Sequence, residues 1–265
     1  LELPNNSTLK DSTGNIASLT HDAVSANSSY KVDNTAPSVS SFTMSDTEIK
    51  IGDTPTVTLV FSEVVTGFSS SADITVANLD NGTTTGSLST MSSSDSITWN
   101  GTFTPTSNIE DAINTLSLTN NSYTDLAGNN GSSATTANYE VDTLAPSVDN
   151  FTIADSLLII GETATVTLVF SEAVAGFSSS ADIDNGSASG SLSTMSSSDN
   201  ITWTGTFTPA TNTEDATNTL SLANSYTDTA GNSGPTETTS NYAVETLAPT
   251  ISSVAITSSA GKQNN

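Results

Sequence analysis

The sequence predicts an all-β chain of tandem two-sheet sandwiches, with seven or so antiparallel strands in each. Three observations carry this prediction. Short alternating apolar runs are punctuated by Gly and Asn turns. No amphipathic stretch of helical period and useful length is present. The whole pattern returns at a spacing suited to one small domain.

The repeat is marked by its linkers. Val32-Asp33-Asn34-Thr35-Ala36-Pro37 returns as Val141-Asp142-Thr143-Leu144-Ala145-Pro146 and as Val244-Glu245-Thr246-Leu247-Ala248-Pro249, at steps of 109 and 103 residues. Between the marks, Leu59-Val60-Phe61-Ser62-Glu63 matches Leu168-Val169-Phe170-Ser171-Glu172. Ile97-Thr98-Trp99 matches Ile201-Thr202-Trp203, and Asp125-Leu126-Ala127-Gly128-Asn129 matches Asp228-Thr229-Ala230-Gly231-Asn232. The shorter second step reflects loss of a segment like Thr75–Leu79, because Asp182-Ile183 runs straight into Asp184-Asn185-Gly186. Residues 33–141 and 142–244 therefore read as two whole repeats. Residues 1–32 read as the C-terminal strands of a preceding repeat, with Leu1-Glu2-Leu3, Asp11–Asn15 and Tyr30 as markers. Residues 245–265 read as the first strand of a following one. The chain is expected to be a window from a longer array. Completion of the partial ends by strand donation between chains is the other reading.

Within a repeat, Thr56–Phe61 alternates and places Val57, Leu59 and Phe61 on one face. Thr98–Phe103 and Thr115–Leu118 alternate too. Asn81-Gly82, Asn185-Gly186 and the Ala-Gly-Asn segments mark turns, since Gly and Asn tolerate positive φ. Seven or so strands in such a repeat, with a central Trp and a Tyr near the last hairpin, have the size and pattern of an immunoglobulin-like sandwich. The chain has no Cys, so Trp and apolar packing must join the sheets in place of a disulfide.

Composition narrows the function. Twenty-eight Asp and Glu face four Lys (Lys10, Lys31, Lys50, Lys262) and no Arg, for a net charge of −24. That field disfavours nucleic acid and anionic lipid surfaces. No apolar run approaches the ~20 residues of a membrane span, and no basic-then-apolar leader opens the chain. Only 12% of residues are charged, and they are scattered singly among short apolar runs, which argues against an acidic disordered tail. The one His, His21, has no counterpart in the whole repeats, so a Ser-His-Asp triad is not expected and the chain reads as non-enzymatic.

The linker V-D-x-x-A-P, the F-S-E that ends the second long strand, and the D-x-A-G-N turn come in fixed order and twice over. In these features the chain resembles the bacterial Ig-like repeats of giant secreted adhesins, including the RTX-type surface adhesins. The resemblance implies an extracellular, rod-like protein, often stiffened by Ca²⁺ between its domains.

Threading a repeat through an Ig-type sandwich gathers acids at one pole. Asp33, Glu63 and Asp125 are expected together in the first repeat, and Asp142, Glu172 and Asp228 in the second. Glu110 and Asp111, expected in a loop at the opposite pole, would face the second set across the joint; Glu214, Asp215 and Glu245 would serve the next joint. Bare carboxylates repel each other. Ca²⁺ takes six to eight oxygens in irregular geometry and suits such a set, whereas Zn²⁺ and Cu²⁺ lack His and Cys ligands here. The competing reading makes the Asp residues turn caps and the acids solubilising charges.

The expected role is an extender segment of a long bacterial surface adhesin or filament that holds a distal binding domain away from the cell. Its partners would be neighbouring repeats of the same chain, or other copies in a filament. Two alternatives stand beside it: an Ig-like module that binds glycan, ice or a host protein, with the Thr75–Leu79 region as its distinctive loop, and a self-assembling fibre subunit.

Overall fold

The computed structural model describes residues 10–17, 31–79, 82, 84–185 and 189–255. Leu1–Leu3, His21, Tyr30, Asn81 and Gly186, singled out in the sequence, lie outside the described residues, as do residues 256–265; residues 246–255, the described part of the range 245–265 where the first strand of a following repeat is expected, form no strand. The chain forms two compact units, residues 1–35 and 36–265. In the first unit, Lys10 and Ile16 form an antiparallel bridge around a turn in which Asp11 Oδ1 accepts the Thr13 and Asn15 N–H groups.

The larger unit holds two β-sandwiches in tandem. The first contains β1 (Val39–Met44), β2 (Glu48–Ile49), β3 (Thr56–Phe61), the helical turn α1 (Ser70–Asp73), β4 (Ile74–Asn78), β5 (Gly86–Leu88), β6 (Thr98–Pro105), β7 (Glu110–Leu118), β8 (Ala134–Thr135) and β9 (Tyr139–Asp142). The second contains β10 (Val148–Ile153), β11 (Leu157–Ile159), β12 (Ala164–Phe170), α2 (Ser179–Asp182), β13 (Ile183–Asp184), β14 (Gly190–Leu192), β15 (Thr202–Pro209), β16 (Glu214–Asn218), β17 (Ser221–Leu222), β18 (Glu237–Thr238) and β19 (Tyr242–Glu245). Among the described residues strand makes up 43% and helix 4%, so the fold is nearly all-β as expected.

In the first domain one sheet runs β1-β3-β6-β5 and the other β2-β9-β7-β4, with β8 on β7. One sheet of the second domain matches, β10-β12-β15-β14. The other divides into β11-β19-β16 and β13-β17-β18. The missing segment explains the split. β4 pairs with β7 over five residues, from Ile74–Leu118 to Asn78–Asn114, whereas among the described residues β13 has two residues and pairs with β17. The middle of the neighbouring strand loses its edge partner and breaks.

The expectation of wholly antiparallel strands is corrected at one edge. β2 pairs with β9 in parallel, and β11 with β19. The chain leaves β1 and crosses to the other sheet without reversing, so it lands parallel to the last strand. An Asp caps each corner: Asp46 Oδ1 accepts the Glu48 N–H and Asp155 Oδ1 the Leu157 N–H, both at 3.0 Å.

The alternation of β3 puts Val57, Leu59 and Phe61 in the core, and Val166, Leu168 and Phe170 repeat this in β12. The two domains have separate cores. Tyr and Phe fill their centres, while Trp99 and Trp203 are half-buried at the margin, with Phe68 and Phe177 set edge-on against them at 4.9 and 4.8 Å. Aromatic rings therefore replace the absent disulfide, each fully buried ring contributing about 1.5–3 kcal/mol.

One packing device positions the site. Tyr123 is buried, and its hydroxyl donates to Ser132 O at 2.9 Å. Its ring lies so close to Gly131 that a Cβ there would sit 2.1 Å away. Tyr226 does the same with Gly234, and its hydroxyl donates to Pro235 O. Each Asp-x-Ala-Gly-Asn turn lies between such a Tyr and such a Gly, which pins it to the core.

Candidate metal centre at the joint between the two domains

Asp142, Glu172 and Asp228 offer carboxylate oxygens within 4.8 Å of one another. They come from three segments far apart in sequence. Asp142 ends β9, Glu172 follows β12 by two residues, and Asp228 opens the turn after Tyr226. Phe170 and Tyr226 each lie two residues before an acid, and their rings are 4.8 Å apart. The contact that closes the core thus also sets Glu172 beside Asp228. Paired bonds between Ser147 and Ser171 tie the linker to the end of β12. The first domain repeats the arrangement. Phe61 and Tyr123 stand 4.5 Å apart, and Glu63 and Asp125 approach within 4.8 Å. Asp33 belongs to the smaller unit, where its Oδ1 accepts the Thr35 N–H.

The Asp residues of the turns are also caps. Asp228 Oδ1 accepts the N–H groups of Gly231 and Asn232 at 2.7 and 2.8 Å, and Oδ2 accepts Asn232 Nδ2 at 2.8 Å. Asp125 is bound in the same way by Ala127 and Asn129. Burial pushes the Asp125 carboxyl up, but the Asn129, Ala127 and Gly128 bonds outweigh it and hold the group below its ordinary value. A carboxylate oxygen has more than one lone pair, so a cap still faces outward with acceptor capacity.

Glu110 begins β7 rather than occupying a loop, and pairs with Asp142 across the β7–β9 ladder. Strand alternation points its neighbour the other way. The Asp111 carboxylate accepts Asn78 Nδ2 and the Ile113 N–H in the domain interior. At the far end of the second domain, Glu214 pairs with Glu245, while Asp215 Oδ1 accepts the Thr217 N–H. Among the described residues, no third acid joins Glu214 and Glu245 in a cluster of the kind seen at the joint.

Electrostatics at the joint are repulsive. Burial pushes the Asp142 carboxyl up, the Leu144 N–H partly opposes it, and the charges of Asp228 and Glu110 add to it. Glu172 is raised by burial and then by Asp228, Asp142 and Glu110. A cleft of about 490 Å³ opens beside the cluster, lined by Asp46, Glu48, Glu110, Glu140 and Asp142, with Lys50 as its one cation. The donor set is entirely oxygen, which fits a hard divalent cation such as Ca²⁺.

A pH dependence follows from these raised groups. Each binds its proton more tightly folded than unfolded, so without metal their contribution to stability falls as pH rises through their raised range. Glu172→Gln is expected to raise the melting temperature of the second domain by a few degrees at pH 7 in chelator. Near pH 3, below the ordinary value of the unfolded carboxyl, where the group is protonated in both states, it is expected to have no effect. Calorimetry at the two pH values checks this.

Sequence reasoning missed Asn232, treating it as a turn former alone. Its Nδ2 also donates to Asp142 O at 3.0 Å, and its Oδ1 accepts the Ile51 N–H of the first domain at 2.8 Å. The only sequence trace of this role is the Asn of Asp-x-Ala-Gly-Asn itself.

Among the described residues, no helix is long and apolar enough to cross a membrane. The family model for the bacterial Ig-like domain, Big_12, matches residues 33–141 and again 142–244. No curated protein sequence matches the chain. Among solved structures, the Escherichia coli adhesin FdeC is similar at 14% identity and a TM-score of 0.36, over 81% of this chain and 66% of that one. The Yersinia pseudotuberculosis adhesin InvE is similar at 16% identity and 0.31, over 77% and 58%. The D0-D1 domain of intimin is similar at 14% identity and 0.26, over 76% and 98%. The chain thus spans less than two thirds of the length of the FdeC and InvE chains. With both family matches falling on the two sandwiches, the chain belongs to the bacterial Ig-like domain family and carries it in two tandem copies.

Proposed function

We propose that this chain is an extender segment of an extracellular bacterial adhesin or surface filament, stiffened by Ca²⁺ at its domain joint and projecting a distal binding domain. The observation that carries the reading is the convergence of Asp142, Glu172 and Asp228 within 4.8 Å where one domain meets the next. Glu110, opposite Asp142 on the ladder, adds its negative charge to the cluster from outside the three-residue group. A bound cation would offset the burial and the like-charge repulsion that raise Asp142 and Glu172 and would cross-link the linker to two loops of the second domain. Asp228 and Asn232 hold the turn in place, and the Tyr226–Gly234 contact fixes that turn to the core.

Membership of the bacterial Ig-like family and the net charge of −24 support a soluble spacer outside the cell, where Ca²⁺ is plentiful. The reading assigns no catalytic role to any residue. Its test is small-angle scattering and thermal unfolding of the full chain, in Ca²⁺ and then in chelator. Chelation is expected to shorten the maximum dimension and lower the melting temperature by several degrees. Identical profiles in both conditions would remove the ion from the reading and leave the joint acids as solubilising charge.

A further inference from the structure

The joint has a second half that carboxylates do not explain. The turn after β2, residues 50–53, sits on the Asp228–Asn232 turn of the second domain. Its Ile51 N–H donates to Asn232 Oδ1, and Asn232 is 2% exposed, with its Nδ2 shared between Asp142 O and Asp228 Oδ2. The Lys50 stem lies across Gly231, where an added Cβ would meet Lys50 Cδ at 3.4 Å. Gly231 has φ +98°, which disfavours a side chain there, and the Lys50 stem lies at van der Waals distance from it. These contacts do not involve the Glu172 or Glu110 carboxylates.

The second domain carries the same turn after β11. In the first domain, Lys50 N donates to Asp53 Oδ2 at 3.1 Å and Asp53 N to Lys50 O at 3.2 Å. In the second, Ile159 N donates to Glu162 Oε2 at 3.0 Å and Glu162 N to Ile159 O at 3.2 Å. Gly52 and Gly161 have φ of +89° and +81°. Ile160 therefore stands where Ile51 stands. The ladder pairing of Ile159 with Glu245 turns the Ile160 N–H toward Glu245 O at the end of β11–β19, the place where Asn232 inserts between the Ile51 N–H and Asp142 O in the first domain. Ile159 and Ile160 are exposed, and a groove of about 530 Å³ beside them is lined by Gly161, Asn212, Thr246 and Ala248. Ile159 replaces Lys50, so the seat here is apolar where its counterpart carries a charge.

We propose that the residue 159–162 turn is a docking surface for the Asp-x-x-Gly-Asn turn of a further Ig-like domain joined after Pro249. The Asn carboxamide oxygen of that turn accepts the Ile160 N–H, and Ile159 covers its Gly. The occupant is assigned by continuity with the joint already present, where the same turn seats the same motif. The inference rests on the tandem-spacer reading above but not on its ion. It makes the amide contact a repeat-to-repeat latch that works without metal.

The test extends the chain after Pro249 with a second copy of residues 147–249, which carries its own complete core. Amide hydrogen exchange at Ile160 is then measured by NMR, in chelator and in Ca²⁺, against the unextended chain. Protection is expected to rise at least tenfold in both conditions, and to return to the unextended value when the appended copy carries Asn232→Ala. Core amides of the appended domain, such as that of Phe207, serve as the folding control. Equal exchange in extended and unextended chains would overturn the proposal. So would protection that appears only with Ca²⁺, which would assign the contact to the ion. Protection in the unextended chain that grows with its concentration would make a second copy the occupant and would also overturn it. Tenfold protection in chelator, with no effect of Ca²⁺ on scattering or melting, would retire the ion and keep the latch.

Discussion

Phe207→Ala is expected to lower the stability of the second domain by about 3–5 kcal/mol. Phe207 is fully buried, its ring lies edge-on to Tyr242 at 5.3 Å, and Gly190 packs so tightly on it that a Cβ there would stand 2.5 Å away. Removing the ring opens a cavity between two sheets that are themselves tied to the β14–β15 and β16–β19 ladders, so the walls cannot collapse to fill it. The loss is a large share of the ~5–15 kcal/mol that holds a domain of this size. At roughly 4–8 °C per kcal/mol, the melting temperature of the second domain should drop by more than ~12 °C. The first domain has a separate core, so its transition should stay near the wild-type position. Differential scanning calorimetry should then resolve two transitions. A single transition shifted as a whole would mean that the joint couples the two cores into one unit.

Asp228→Ala is expected to destabilise the second domain by about 2 kcal/mol in chelator, with two opposing effects deciding the sign. The substitution removes the acceptor for the Gly231 and Asn232 N–H groups, each costing about 1–3 kcal/mol when left without a partner, whereas Asn232 Nδ2 keeps its bond to Asp142 O. It also removes a negative charge within 4.8 Å of Asp142 and Glu172. For half-buried groups open to solvent, each such repulsion is worth about 1 kcal/mol. The lost cap outweighs the relieved repulsion. Asp228→Asn separates the two, since it removes the charge but keeps an oxygen for the backbone donors, and in chelator it should stay within about 1 kcal/mol of wild type. In Ca²⁺ both variants should lose whatever stabilisation the ion adds. Unfolding curves of the three proteins with and without Ca²⁺ check this. If Asp228→Ala proved as stable as wild type in chelator, the turn would not depend on its cap.

Residue order alone revealed a good deal here. The alternation in Thr56–Phe61 names the core face of β3 because side chains alternate across any strand, whatever it pairs with. The missing counterpart of Thr75–Leu79 accounts for the short β13, since a deletion inside a repeat removes strand directly. Local conformation follows from local sequence: the Gly of each Asp-x-x-Gly-Asn turn has positive φ in all three copies, at Gly14, Gly128 and Gly231. Other features depended on how distant segments meet. The parallel pairing of β2 with β9 comes from a sheet switch that the alternation pattern does not encode. Whether Glu110 or Asp111 faces Asp142 depends on strand register, and a shift of one residue would exchange them. The bond from Ile51 to Asn232 spans 181 residues and forms only where two separately cored domains abut. Pattern determines which face a residue occupies within its own strand; only the packed chain decides what stands opposite that face, because contact between remote segments depends on register and rigid-body placement.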